Sequence, residues 1–523
     1  MSEVFAQISL ASLAPRPKPI DGSVYVGKDI LDLLTGSMYL DPLNVFREYI
    51  QNAADSIDEA RSQGLGFPPG PQIVFEFNHQ ERSVKIRDCG IGIPAMDFVR
   101  RLITIGASGK RGKKQRGFRG VGRLSGLGYC QELIFRSRAE GESKVNELRW
   151  DGRILRDKMR DPAFVGGLSD IVAAAVTQTR LPADDFPARF FEVEMRKVQR
   201  LRNDLLLNEA AIKKYLSQVA PVPFAPDFTH GDAIQAHLDK AGVAKTVDIR
   251  FAGDEVPVYH RASNRIALSD KLTDEISAIQ LVEYFGGDGE LLATGWLGHH
   301  TYAGAIPGKL GLSGVRLRAG NIQIGDERIT APLFHESRFV SWTLGDIHVV
   351  SPKISPNGRR DEFEASVHYT HLQNELTLTM KEVAQLIRTR SLHRNRLKQV
   401  QVQLTALAEW TAISKEGGLH PMLSSVINEV AAGRTQMAAH EASKLEHESG
   451  SRKLAEGRIK AVSDAFKKAE VSVKISPLEK KLSAAAAPIK AALKTILMSS
   501  PNPKKGVTLA MQVLAAVESS HFA

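Results

Sequence analysis

The stretch FREYIQNAADSID, residues 46–58, decides the fold of the N-terminal part of this chain. Its apolar residues recur at helical spacing, which predicts an amphipathic helix with one face in a core. These apolar positions are Leu43, Phe46, Ile50, Ala54 and Ile57. Glu48, Asn52 and Asp55 are spaced i, i+4 and i+7, so they share a different face of that helix. A carboxylate and a carboxamide there can polarise a water molecule and hold Mg²⁺. The alternative interpretation is a solvated helix face.

The second motif is VKIRDCGIGIP, residues 84–94. A strand would deliver Asp88, and Gly90 and Gly92 would then turn the backbone tightly. Glycines at these positions let the chain approach a flat ligand, because they carry no Cβ. A buried carboxylate at the end of the strand could accept a hydrogen bond from an adenine amino group. A DxGxG pattern on its own also fits an ordinary turn.

The third motif is TIGASGKRGKKQRGFRGVGRLSGLGY, residues 104–129. Gly117, Gly120 and Gly122 precede an apolar stretch, as in loops whose backbone N–H groups cradle phosphates. The motif lacks the full GxxxxGK[ST] pattern of a Walker A loop. Its cations are Lys110, Arg111, Lys113, Lys114, Arg116, Arg119 and Arg123, with no acidic residue among them. They would contact phosphates, cover the site as a lid, or be solvated.

In this order the three motifs resemble the N-box, the DxGxG box and the glycine-rich lid of the GHKL ATPase superfamily. FREYIQNAADSIDEAR and TIGASGK are similar to the ninety-kilodalton heat-shock chaperones, whereas GFRGVGRLSGL is similar to the mismatch-repair MutL proteins. The superfamily also includes the MORC-like ATPases. The resemblance implies an α/β fold: an N-terminal GHKL (Bergerat) α/β sandwich, then an α/β transducer domain. An all-helical C-terminal domain would follow. It also implies ATP and Mg²⁺ as ligands, and an ATPase activity that yields ADP and phosphate.

The resemblance assigns roles to residues of the three motifs. Glu48 would be the general base that activates the attacking water, Asn52 would coordinate Mg²⁺, and Asp88 would bind adenine. The remaining nucleotide-binding candidates are Asp55, Gly90, Gly92, Ser108, Lys110, Gly117, Phe118, Arg119, Gly120, Val121 and Gly122. One feature departs from the family. A Thr that helps to hold adenine usually precedes the last strand, but this chain reads FPARFFEVEM there, and Thr179 is out of register.

A second candidate site lies in GDIHVVSPKISPNGRRDEFE, residues 345–364. In related ATPases a transducer domain supplies a cation to the γ-phosphate, where it stabilises charge on the transferring group. The VVSPK part resembles MutL and nominates Lys353, which we favour slightly. The SPNGRRD part resembles the chaperones and nominates Arg360 or Arg359. Alternatively, both arginines pair with Asp361 or Glu362 in a surface turn.

Changes in composition along the chain predict five segments. We expect an N-terminal arm (1–22), a GHKL domain (23–200), a Pro-containing joint (201–226) and a transducer-like α/β domain (227–376). A helical domain for dimerisation or partner binding would span residues 377–523, because long stretches rich in Leu, Ala, Lys, Glu and Gln follow there.

Composition limits the class of protein. The chain has 523 residues, a net charge of +10 and two cysteines, so a disulfide framework or cysteine metal site is not expected. With no long apolar run and no signal-like N-terminus, we expect a cytoplasmic protein without a membrane partner. The positive charge permits contact with nucleic acid.

Three functional hypotheses follow from these observations. The first is an ATP-gated homodimeric clamp acting on duplex DNA, and the second is a chaperone-like ATPase that remodels protein clients. The third is a scaffold that binds ATP without hydrolysing it. Glu48 argues against the third hypothesis, because a pure binder needs no base.

Overall fold

The structure is a computed structural model that describes residues 41–104, 122–161, 163–164, 167–201, 203–417, 419–445, 450–469, 486–500 and 502–522. Within these residues, an α/β region built on a large sheet is followed by a second α/β region and then by helices alone. This order confirms the fold class expected from the sequence.

The first region is one sheet with helices packed on one face. Its seven strands have the order β5-β4-β3-β6-β2-β1-β7, and all neighbours are antiparallel except the parallel pair β1 and β7. The strands are β1 (Ile73–Asn78), β2 (Ser83–Asp88), β3 (Glu132–Arg138), β4 (Lys144–Asp151), β5 (Val176–Pro182), β6 (Phe190–Arg196) and β7 (Ile249–Phe251). The helices are α1 (Asn44–Ser62), α2 (Ala95–Ile103), α3 (Gly152–Arg160), α4 (Leu168–Ala175) and α5 (Glu209–Val219).

Alternating side chains divide this sheet into an apolar face and a charged face. Ile86 of β2 and Val193 of β6 are buried in the core that α1 shares. On the charged face, Arg136 Nη1 lies 2.6 Å from Glu192 Oε1 and 2.7 Å from Glu194 Oε2. These charges are buried and mutually paired, which limits the cost of removing them from water.

The core of the first region continues past residue 200, where the sequence suggested that the domain ends. Helix α5 contacts α1 through a hydrogen bond from Tyr215 Oη to Asn44 Oδ1 (2.8 Å). Strand β7 then pairs with β1, and the core extends to Val258. A three-residue strand such as β7 gives almost no periodic signal in a sequence, so the boundary could not be located there.

The second region holds a five-stranded sheet of order β10-β11-β14-β12-β13 and a separate hairpin, β8–β9. Strands β12 and β14 are parallel, and the other neighbours are antiparallel. The elements are α6 (Gly231–Lys240), β8 (Arg265–Ser269), β9 (Leu272–Glu275), β10 (Ala278–Phe285), β11 (Leu291–His299), β12 (Gly314–Ala319), β13 (Ile322–Ile324) and β14 (Leu344–Val349).

A buried ionic cluster joins the two α/β regions. Asp346 of β14 lies 3.2 Å from both Arg261 and Arg318. Arg318 also donates to the backbone oxygens of Gln218 and Ala220, at the end of α5. Burial would raise the pKa of Asp346, but the two arginines hold it well below its usual range. The carboxylate therefore stays ionised and connects the joint to the second sheet.

The C-terminal region consists of helices. Helix α7 (Val367–Glu416) has 50 residues, and the side chain of Ser366 caps its N-terminus. Its first part packs on the second sheet, and its last part joins a separate helical core. The other helices are α8 (Pro421–Ser443), α9 (Ser451–Ala469), α10 (Ala486–Ser499) and α11 (Pro503–Phe522). Every helix in the described residues is too short or too polar to cross a membrane.

Candidate functional site

The polar face of α1 lies against the short 3₁₀ turn at Gly122–Gly128. Glu48 is 7% exposed, and a Cβ on Gly122 would lie only 2.2 Å from Glu48 Oε2. The backbone N–H of Gly126 donates to Tyr49 Oη (3.1 Å), which also fixes the turn against the helix. Asn52 is half-buried one turn after Glu48, and Asp55 is buried. The structure therefore brings Glu48 and Gly122 together, with Asn52 one helical turn further along α1.

Asp88 ends β2 beside the same helix and is buried. Burial raises the pKa of Asp88 to about 7, although hydrogen bonds from Gly90 and Ser56 partly oppose this effect. The Gly90 N–H donates to Asp88 Oδ1 (2.9 Å), and a Cβ on Gly90 would lie 2.1 Å from Ser56 Oγ. Gly92 has φ +70°, and a Cβ there would meet the carbonyl oxygen of Arg138. The DxGxG turn is therefore packed tightly between α1 and β3.

The second α/β region reaches Glu48 through Arg360. Arg360 Nε lies 3.6 Å from Glu48 Oε1, and the Arg360 side chain is largely buried. Arg47, the neighbour of Glu48, donates to the carbonyl oxygen of Arg359 (3.2 Å). The Arg359 side chain instead pairs with Asp361 (3.0 Å). A loop of the second α/β region therefore places the Arg360 guanidinium beside the Glu48 carboxylate of the first region.

Lys353 lies elsewhere. Its ammonium pairs with Asp288 (3.0 Å) and with Glu290, and its side chain is 42% exposed. These two carboxylates raise the pKa of Lys353 and hold it at the surface turn between β10 and β11. Of the two cations that the sequence nominated most strongly, the structure brings Arg360 to Glu48 and does not bring Lys353.

Comparison with known proteins identifies the first region. Residues 43–159 match the family model described as histidine kinase-, DNA gyrase B- and HSP90-like ATPase. The first region contains a GHKL ATPase domain. The chain is also similar to proteins named chaperone protein HtpG. The HtpG of Verminephrobacter eiseniae is 30% identical over 139 residues, 23% of this chain and 21% of that protein.

Two further HtpG proteins match this chain with similar identity over a similarly small part of their length. That of Rickettsia prowazekii is 31% identical over 145 residues, 24% of this chain and 23% of the relative. That of Vibrio vulnificus is 27% identical over 201 residues, 29% of this chain and 32% of the relative. The chain thus spans about a fifth to a third of the length of these relatives.

The strand register of the GHKL domain shows which side chain faces Asp88 from the neighbouring strand. Asp88 is directly opposite Phe191, which in turn is opposite Ser137. Val193 and Met195, on the same face of β6, are buried, whereas Phe191 is only half-buried. Its ring stacks on Phe135 with 6.0 Å between centroids. Phe191 therefore borders the space beside Asp88.

Thr179 does not take this place. It is exposed on β5, at the edge of the sheet, and three strands separate β5 from β2. The sequence alone did not place Phe191 near Asp88, because only the pairing of β2 with β6 brings the two residues opposite each other.

Arg189 is a second residue that the sequence did not reveal. It precedes β6 and is buried, and its Nε donates to the carbonyl oxygen of Gly90 (2.8 Å). Its Nη2 donates to the carbonyl oxygen of Gly66 (2.7 Å), and its Nη1 pairs with Glu140 (3.0 Å). Arg189 therefore holds the backbone of the DxGxG turn in place through the carbonyl oxygen of Gly90. An arginine within the apolar run FPARFF was the only signal for this role.

The donor set of the GHKL domain suits a magnesium nucleotide. In the described residues, Glu48 Oε1 has ion-pair contacts with Arg47 and Arg360 but accepts no hydrogen bond. Within the same parts of the chain, no cluster of three His, Cys, Asp or Glu residues could hold a metal by itself. Mg²⁺ usually takes one or two protein oxygens together with substrate phosphates. The Asn52 amide oxygen, one helical turn after Glu48 on α1, is an oxygen of the kind that Mg²⁺ prefers.

Seven nucleotide-binding candidates lie outside the described residues. They are Ser108, Lys110, Gly117, Phe118, Arg119, Gly120 and Val121.

Proposed function

We propose that this protein binds Mg-ATP in its GHKL domain and hydrolyses it to ADP and phosphate. Glu48 would act as the general base, Asn52 would coordinate Mg²⁺, and Asp88 would accept a hydrogen bond from the adenine amino group. The observation that carries the proposal is the contact between Glu48 and Arg360, which joins a buried carboxylate of one region to a buried cation of the other.

The charges of Glu48 and Arg360 suit the two steps that ATP hydrolysis requires. Glu48 Oε1 accepts no hydrogen bond from the described residues, so it can accept one from a water molecule and take its proton. A guanidinium within reach of the same place can stabilise the negative charge that develops on the transferring phosphoryl group. Because Arg360 Nε lies 3.6 Å from Glu48 Oε1, Arg360 would have to move from the base towards the phosphates during the reaction.

The process that hydrolysis drives is proposed to be the remodelling of protein clients. The relatives that match the GHKL domain are named chaperones, and the motif at residues 46–58 is of the chaperone type. The C-terminal helices would then hold two copies together as a homodimer. Suppressed aggregation of a model client, dependent on ATP, would support this proposal.

A second candidate function is a dimeric clamp on duplex DNA. The observation that favours it is the net charge of +10. ATP would pair two GHKL domains around the duplex, and the C-terminal helices would keep the dimer closed.

Steady-state ATPase assays of the wild type, Glu48→Ala, Arg360→Ala and Lys353→Ala test the site. We expect Glu48→Ala to bind ATP but to lose nearly all turnover. Arg360→Ala should lower kcat by about 100-fold, the loss typical of removing one charge-stabilising group. A larger loss in Lys353→Ala than in Arg360→Ala would assign the γ-phosphate cation to Lys353. Wild-type protein that binds ATP and never hydrolyses it, alone or with clients, would favour the scaffold hypothesis.

Adding duplex DNA or an unfolded client protein to the same assay separates the two processes. Stimulation by the client alone supports the chaperone-like function, and stimulation by DNA alone supports the clamp.

A further inference from the structure

The positive charge of this protein is concentrated in the C-terminal part of its sequence. Residues 367–523 contain 22 Lys and Arg against 13 Asp and Glu, a net charge of +9 out of +10 for the whole chain. The two α/β regions and the N-terminal residues together are therefore close to neutral. The excess charge belongs to the part of the chain that lies outside the ATPase match at residues 43–159.

One part of this charge lies on the middle of α7. The residues buried against the second sheet end at Ile387, and those buried in the helical core begin at Val400. The helix between them carries Arg388, Arg390, Arg394, Arg396 and Lys398. No acidic residue occurs in the sequence between Glu382 and Glu409. This stretch of α7 is thus a cationic connection between two folded regions.

The five cations divide into two groups. Arg388 pairs with Glu336, Arg394 donates to the carbonyl oxygen of Tyr302, and Arg396 donates to that of Lys444. These three contacts attach α7 to its neighbours. Arg390 and Lys398 are exposed, and within the described residues neither forms an ion pair or a hydrogen bond. Their charge is therefore available to a ligand.

Helix α9 adds a second row of cations beside α7. Arg458 of α9 donates to Gln401 of α7 (2.6 Å), which fixes the two helices side by side. Lys453, Lys460 and Lys467 are exposed and recur every seven residues. At 1.5 Å per residue they stand about 10.5 Å apart on one face of the helix. We call Arg390, Lys398, Lys453, Lys460 and Lys467 the basic surface.

We propose that the basic surface binds the phosphate backbone of duplex DNA. Exposed cations arranged in rows along two helices match a polymer with charge at regular intervals, and their binding is driven by counterion release. This contact is independent of base sequence, because phosphates carry no sequence information. The proposal locates the DNA contact of the second candidate function, and it requires neither ATP binding nor hydrolysis.

The test is fluorescence anisotropy of a short labelled DNA duplex with the full-length protein and no nucleotide. We expect the logarithm of the affinity to fall linearly with the logarithm of salt concentration between about 50 and 200 mM. In Arg390→Ala/Lys398→Ala, each lost phosphate contact should reduce that slope by about 0.9. Affinity at low salt should fall by about tenfold or more, since several charges act together.

The matched control is Lys240→Ala/Lys271→Ala, which removes two exposed lysines from the second α/β region. It changes net charge equally, so an equal loss of affinity would mean that total charge, not the basic surface, attracts DNA, and would overturn the proposal. Absence of DNA binding by the wild type at low salt would overturn it too. Glu48→Ala should bind DNA as the wild type does, so a failure of the ATPase proposal is distinguishable from a failure of this one.

Discussion

Asp88 is buried beside α1 and has a pKa of about 7, so it exchanges its proton near neutral pH. The folded pKa lies above the ordinary value of 3.8, because burial disfavours the charged form. The stabilising effect of the proton is therefore complete below about pH 4 and is lost as the pH rises towards 7. The empty GHKL domain should be less stable at alkaline pH, where this carboxylate is ionised and ready to accept a hydrogen bond from adenine.

We predict that the free energy of unfolding falls by about 2 kcal/mol between pH 5.5 and pH 8 from this group alone. Asp88→Asn cannot ionise, so that part of the pH dependence should disappear. The variant should also bind ATP far more weakly, because an amide cannot present the same pair of acceptor oxygens. Urea unfolding of both proteins at the two pH values measures the first effect. Identical pH dependence in wild type and Asp88→Asn would contradict the assignment.

Phe191 stands directly opposite Asp88 in the neighbouring strand β6. An aromatic ring that borders this space can contact the adenine base, and contacts of this kind are worth about 1–3 kcal/mol per base. We predict that Phe191→Ala weakens ATP binding by about 5- to 100-fold. Isothermal titration calorimetry measures the change.

The control for this prediction is Phe186→Ala. Phe186 stacks on Phe190 with 5.5 Å between ring centroids, outside the row that contains Asp88. It should lose some stability and keep its affinity for ATP. Equal affinities for Phe191→Ala and the wild type would show that the ring only packs against Phe135.

At the scale of secondary-structure elements, the close approach of the 3₁₀ turn to α1 determines the position of Glu48. A Cβ on Gly122 would lie 2.2 Å from Glu48 Oε2, so a side chain there would displace the carboxylate. We predict that Gly122→Ala lowers kcat by at least about tenfold, as expected when a catalytic group is shifted by about 1 Å. Gly433→Ala, in helix α8 with no atom close to the added Cβ, should leave kcat unchanged. Wild-type turnover in Gly122→Ala would mean that the carboxylate can move without loss.

The elements that could be predicted are those with a strong local pattern. Helix α1 and its polar face follow from the spacing of Phe46, Ile50, Glu48 and Asn52, and β2 follows from the residues before Asp88. Each of these motifs carries its information within a short run of consecutive residues. Such local signals suffice for the first half of the site.

The features that could not be predicted depend on contacts between distant parts of the chain. Strand β7 pairs with β1 across some 170 residues, Phe191 meets Asp88 only through the register of β2 and β6, and Arg360 meets Glu48 through the packing of two regions. The choice between Lys353 and Arg360 depended on Asp288 and Glu290, which lie more than 60 residues before Lys353 in the sequence. No local pattern contains that information.

At the scale of the whole molecule, the contact between Arg360 and Glu48 requires the two α/β regions to keep a fixed relation. The cluster around Asp346 supplies one connection, because Arg318 binds both Asp346 and the end of α5. The substitution Asp346→Asn would leave Arg261 and Arg318 buried without a counter-charge. Removing one member of a buried ion pair typically costs about 3–5 kcal/mol.

We therefore predict that Asp346→Asn lowers the free energy of unfolding by about 3–5 kcal/mol. It should also lower kcat, because the second α/β region would no longer hold Arg360 in a fixed position beside Glu48. Asp274→Asn is the matched control. Asp274 is equally buried in the second region and binds His300 (2.8 Å) and Thr301, but none of these contacts reaches the GHKL domain. It should lose stability of similar size while kcat, measured well below its unfolding temperature, stays close to that of the wild type. If both variants lose kcat in proportion to their lost stability, the general loss of stability explains the effect. The ionic cluster around Asp346 then has no specific role in positioning Arg360. If Asp346→Asn alone loses kcat, the ionic cluster couples the second region to the base at Glu48.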